Sequence, residues 1–117
     1  MKVFVIVNET PWGSSLASAA LRFVRAALRQ GLEVPAVFFS GDGVYHALPG
    51  RMSDSGQEKP AEAWMTLAGQ EIELLLCSSA AARRLDGIPA ETASAFREAG
   101  LARMWALASD CDRVVNF

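Results

Sequence analysis

The chain alternates short, continuously apolar runs with longer stretches of helical spacing. Residues 2–7, K-V-F-V-I-V, form a β-branched run, the pattern of a strand covered on both faces as in a parallel sheet. After the turn at 8–13, Ser14 or Ser15 is placed to cap a helix whose apolar positions Leu16, Ala19, Ala20, Phe23, Val24, Ala27 and Leu28 recur three and four residues apart. Arg22, Arg25 and Arg29 fall mostly on its other side, and Gly31 ends it. Residues 32–40 predict a second strand, strongest over 36–39, because Pro35 has no amide to give a ladder and belongs near a strand start or edge.

Gly41-Asp42-Gly43 reads as a turn, and 44–48 as a single helical turn. The stretch 49–60 then holds one strongly apolar residue, Met52, so it contributes little core and is predicted to be a mobile surface loop. A helix opens at Pro60 or Ala61 and runs through Ala63, Trp64, Leu67 and Ala68 to end near Gly69. Residues 72–77, I-E-L-L-L-C, predict a third strand, with Ser78-Ser79 capping a short helix A-A-A-R-R-L that stops at Asp86-Gly87. Residues 88–92 have the look of a further helix start, 101–108 carry the last helical pattern, and 113–117 the last strand. Strands alternating with helices imply right-handed βαβ units in a parallel sheet with helices on both faces, an α/β fold whose sites lie at the carboxyl ends of the strands. At 117 residues the chain has room for one domain, 1–117.

Composition narrows the function classes. An apolar fraction of 51% with 21% charged residues is globular, and a formal charge of −2 is too small to capture phosphate backbones, so no direct nucleic-acid partner is expected. The apolar run at 3–7 is too short for a membrane span or a signal-peptide core, so the expectation is a soluble, cytoplasmic chain with no membrane partner. Two cysteines and one histidine make neither a disulfide framework nor a zinc cluster, so no metal or cofactor is expected.

Cys77 is the residue with the most chemistry to offer. It ends the third predicted strand immediately before a helix start, where the free N–H groups of Ser78, Ser79 and Ala80 and the charges of Arg83 and Arg84 favour a thiolate. A small apolar cysteine at a strand end is the plainer reading of position alone. Cys111 stands between Asp110 and Asp112, which oppose a thiolate, at the amino end of the last strand and about 15 Å from Cys77 at ~3.3 Å per residue, too far for a disulfide. The turn 8–15, N-E-T-P-W-G-S-S, is a rival site of the kind that holds phosphate in flavodoxin-type sheets, although Glu9 would repel one. His46 has no motif around it and is expected at the surface or an interface. The 49–60 loop, with Arg51, Asp54 and Glu58, emerges on the same rim as Cys77 and is the candidate lid. Aromatic residues are numerous for so small a chain, so some, Tyr45 or Trp105 among them, are expected in subunit contacts.

Five segments in order, V-F-V-I-V at 3–7, S-S-L-A-S-A-A-L-R-F-V at 14–24, V-F-F-x-G-D-G-V-Y at 37–45, C-S-S-A-A-A-R-R at 77–84 and C-D-R-V-V-N-F at 111–117, resemble the DsrE/TusD group of sulfur-relay proteins. The resemblance runs nearly end to end; the chain is shorter than the family pattern between Gly87 and Gly100. It implies a flavodoxin-like α/β domain assembled in trimers or hexamers, alone or with related DsrF/DsrH-like or TusC/TusB-like subunits. It implies further that Cys77 carries sulfur as a persulfide, taken from a TusA-like donor and passed to a TusE-like acceptor, in tRNA 2-thiouridine formation or in Dsr-type sulfur oxidation. Two alternatives stay open: a non-catalytic subunit that completes a hexamer, and a flavin or nucleotide module built on the 8–15 turn.

Overall fold

The computed structural model describes residues 1–54, 56, 58–88 and 92–117. Five parallel strands, β1 (Val3–Val7), β2 (Ala36–Phe39), β3 (Glu73–Cys77), β4 (Phe96–Ala99) and β5 (Arg113–Asn116), form one sheet in the order β4-β3-β2-β1-β5. The helices are α1 (Ser15–Arg29), α2 (Pro60–Ala68), α3 (Ser78–Arg84) and α4 (Leu101–Ser109), with a 3-10 helix at Gly41–Ala47. The chain steps from β1 to β4 in one direction and returns to β5 in the other. Right-handed crossovers therefore place α1, α2 and α3 on one face and α4 on the opposite one. Contacts agree: Trp64 of α2 meets Phe39 edge-on at 5.2 Å, while Arg103 of α4 pairs with Glu73, which faces the other way in register.

The continuous apolar runs have the cause expected for a sheet covered on both sides. Val5, Val7, Val37, Phe39 and Leu74 are buried toward α1 and α2, and Phe4, Phe38 and Leu75 toward α4. Ser14 caps α1 by accepting from the Leu16 amide, and the helix turns Ala17, Ala20, Leu21, Val24 and Ala27 inward, so Leu16 is exposed instead of buried. Pro35 lies just ahead of β2, and its carbonyl accepts from the Glu73 amide. α4 buries no residue fully; Leu101 and Trp105 stay 57% and 65% exposed, and Val114 on the edge strand β5 is 51% exposed.

Three local expectations are corrected. Residues 41–47 form a 3-10 helix rather than a turn followed by one helical turn, because Gly41 takes a left-handed φ of 53° and Gly43 closes against the end of β1. Ser78 and Ser79 lie inside α3 and Cys77 itself is the N-cap. The expected helix start at 88–92 falls partly on Pro89, Ala90 and Glu91, outside the described residues, and the segment that follows holds the unforeseen β4, whose F-R-E-A sequence buries only its first and last side chains. Among the described residues no helix is long and apolar enough to cross a membrane.

Candidate functional site at the carboxyl end of the third strand

Cys77 is the last residue of β3, opposite Ala99 in the β3–β4 register, and is 9% exposed. Its backbone leaves the strand at φ −58° and ψ 117°, and α3 begins at the next residue. The amides of Ser78, Ser79 and Ala80 therefore belong to the first turn, where no preceding helical carbonyl is available to them. Arg83 lies in the last turn, with its Nε donating to the Ser79 carbonyl at 3.3 Å. Arg84 does something the sequence did not signal: its Nε donates to the Asp42 carboxylate at 2.7 Å, tying α3 to the 3-10 helix.

Cys111 lies ahead of β5, at the amino end of the sheet, and both cysteines are free. Burial pushes the Cys111 thiol up; Asp110 and Asp112 add to this and Lys2 opposes it. The two thiols are therefore held at opposite ends of the strands in unlike surroundings.

The 49–60 loop is fastened over the β1–α1 turn, two strands from β3. The Trp12 indole N–H donates to the Met52 carbonyl at 2.8 Å, the Gly13 amide donates to Asp54 Oδ2 at 2.7 Å, and Arg25 pairs with Glu58 at 3.2 Å. Arg51 is exposed. The Gly13 amide, which a phosphate at this turn would need, is thus occupied by the chain's own carboxylate. On the α4 face, a groove of about 580 Å³ runs along β3 and β4 past Leu75, Arg97 and Ala99, with Arg103 and Glu73 paired across it at 2.9 Å.

His46 is not at the surface. It is 2% exposed, packed against Phe39, with its Nε2–H donating to the Glu9 carbonyl at 3.0 Å and its Nδ1 accepting from the Trp64 indole at 3.1 Å. The helical signal that buries Trp64 could have located its partner, since a buried indole N–H requires an acceptor. Loss of hydration holds the imidazole down at about 4, against a smaller upward pull from the Glu9 carbonyl. The unfolded chain, with an ordinary histidine near 6.5, binds the proton first, so this contribution is intact above about pH 6.5 and is lost as pH falls toward 4. Between pH 7 and pH 4 the wild type is expected to lose about 3 kcal/mol more stability than His46→Asn, measured by urea unfolding; equal losses in the two proteins would contradict this.

The profile of the DsrE/DsrF-like family matches residues 1–117. The chain belongs to that family. Curated relatives named Sulfurtransferase TusD, from Enterobacter sp. (strain 638) and Salmonella newport (strain SL254), are 32% and 34% identical, with both chains covered over their full length. These alignments span 130 and 128 positions against the 117 residues here, so this chain is aligned with gaps. Among solved structures, the ychN protein from E. coli has the same fold, with a TM-score of 0.84 at 22% identity, covering 100% of this chain and 99% of its own. A protein of unknown function from Methanobacterium thermoautotrophicum has a TM-score of 0.72 at 14% identity, covering 99% of this chain and 97% of its own.

Proposed function

We propose that this DsrE/DsrF-like chain is a sulfurtransferase subunit of a sulfur relay, with Cys77 as the residue that carries sulfur. The observation that carries the proposal is the full-length similarity to relatives named sulfurtransferases, in a chain whose Cys77 ends a central strand where a helix begins. The Cys77 thiolate attacks the outer sulfur of a donor persulfide, R–S–SH. The donor's S–S bond breaks, a new S–S bond forms on Cys77, and the donor leaves as a thiolate that keeps the bonding electron pair, so the exchange needs no outside oxidant or reductant. The amides of Ser78, Ser79 and Ala80 and the charge of Arg83 favour the resulting anion. A second thiol, on the acceptor, then takes the outer sulfur by the same exchange.

Within this reading the donor is a TusA-like carrier, the acceptor is TusE-like, and the pathway is tRNA 2-thiouridylation or Dsr-type sulfur oxidation in the cytoplasm. The exposed apolar set Leu101, Trp105 and Val114 supports assembly with DsrF/DsrH-like or TusC/TusB-like subunits or with further copies of the chain. The direct test is the mass gained after incubation with a persulfide donor. A non-catalytic subunit would gain none.

The 49–60 loop is held at the β1–α1 turn, two strands from β3, so in this scheme it covers Cys77 only by leaving the Trp12, Gly13 and Arg25 contacts. Removing residues 51–58 deletes the Met52, Asp54 and Glu58 contacts but little apolar core, so folding should be nearly unchanged. The shortened protein is expected to lose Cys77-bound sulfur to added glutathione faster than the parent. Equal persulfide lifetimes would show that the loop is no cover.

A further inference from the structure

The surroundings of Cys77 depend on how α3 is held, and α3 has few means of being held. Only Ala80 and Ala81 of its seven residues are buried, and its N-cap makes no side-chain hydrogen bond. Two alanine methyls bury far less apolar area than one leucine, and so short a helix does not persist on propensity alone. Its most extensive packing outside its own strand is against the 3-10 helix Gly41–Ala47. There Arg84 Nε donates to Asp42 Oδ1 at 2.7 Å, a short charge-assisted hydrogen bond with Arg84 about one-third exposed. Arg83, its neighbour, spends its Nε on the Ser79 carbonyl of the same helix and ties α3 to no other element among the described residues.

The backbone at Asp42 is itself fixed, although its side chain is 57% exposed. Asp42 stands between Gly41, whose φ is 53°, and Gly43, whose Cα lies so close to β1 that a Cβ there would be 2.1 Å from the Val7 oxygen. The 3-10 helix therefore has no freedom to follow α3, and the ion pair sets α3 against a rigid support. Since α3 starts at the residue after Cys77, a tilt of the helix about the end of β3 changes both what covers the thiol and where the first-turn amides point.

We propose that Asp42 and Arg84 are positioning residues for Cys77, acting through the orientation of α3 without touching the sulfur. The proposal deepens the sulfur-carrier reading and rests on it for its functional consequence. Asp42→Asn, Arg84→Gln and the exchanged pair Asp42→Arg with Arg84→Asp are made in a Cys111→Ser background, so that Cys77 is the only thiol. Two rates are read: alkylation of Cys77 by iodoacetamide, and uptake of sulfur from glutathione persulfide. Each single variant is expected to alkylate about threefold faster and take up sulfur about threefold more slowly, the scale of one partly exposed ion pair. The exchanged pair should return both rates to within about twofold of the parent, because the ion pair re-forms in the opposite sense. Thermal midpoints should stay within about 3 °C of the parent. Parental alkylation rates in the single variants, or an exchanged pair no better than the singles, overturn the proposal. A parent that takes up no sulfur overturns the carrier reading instead, and the alkylation rates then still decide whether the pair positions Cys77.

Discussion

Gly43→Ala should unfold much of the protein at temperatures where the wild type is intact. A Cβ at this position would stand 2.1 Å from the Val7 carbonyl oxygen and 2.9 Å from its carbon, well inside contact distance. Neither side can give way cheaply. The Val7 oxygen already accepts from the Ser40 amide at 2.9 Å, the link that starts the 3-10 helix, and Val7 is fully buried in the inner strand β1. Gly43 is buried as well, with Val44, His46 and Ala47 of the same short helix. Relief would require lifting that helix off β1, breaking the hydrogen bonds of His46 to Glu9 and Trp64 and the Asp42–Arg84 pair together. Overpacking of this kind costs about 3 kcal/mol or more, which for a chain of this size lowers the melting temperature by roughly 15 °C. Gly100 is the control: nothing lies within 4 Å of its Cβ position and it is the N-cap of α4, so Gly100→Ser should be neutral or slightly stabilising. A Gly43→Ala protein that melts with the wild type would mean that the 3-10 helix is not seated on β1.

Several legible elements owe it to uniform burial, whereas α4 and β5 were read from apolar spacing and a β-branched pair although α4 buries no residue fully and β5 is mostly exposed. β1, β2, β3 and α1 announce themselves because both faces of each strand, or one face of the helix, are covered, so apolar periodicity follows directly from packing. β4 escaped because it is an edge strand with two exposed charged residues, Arg97 and Glu98, between buried Phe96 and Ala99. That spacing of three reads as a helix as readily as a strand. The Gly41-Asp42-Gly43 turn was visible as a turn, but its reason, close approach to Val7, is a contact across 36 residues that local pattern does not encode. His46 failed for a similar reason: its partners Glu9 and Trp64 come from two other segments, so its burial is tertiary. Cys77 was legible because strand, cysteine and helix start are consecutive in the chain. Its support by Arg84 was not, because Asp42 lies 42 residues away.

The second large effect is chemical. Cys77→Ser should abolish sulfur uptake while Cys111→Ser leaves it unchanged, because the hydroxyl has nearly the shape of the thiol but cannot form the S–S bond that holds the transferred atom. Cys77 meets the first turn of α3, whereas Cys111 faces Asp110 and Asp112 at the other end of the sheet, with its thiol pushed up by burial and by those carboxylates. A serine at 77 keeps the strand end and is itself a good helix N-cap, so stability should change little. That separates lost chemistry from lost fold.

The deciding measurement is intact mass, taken under non-reducing conditions after incubation with a persulfide donor, on the wild type, Cys77→Ser and Cys111→Ser. A gain of about 32 Da, one sulfur atom, is expected in the wild type and in Cys111→Ser, with none in Cys77→Ser. Equal gains in Cys77→Ser and the wild type, or no gain in any of the three, would contradict the assignment of Cys77 as the sulfur carrier.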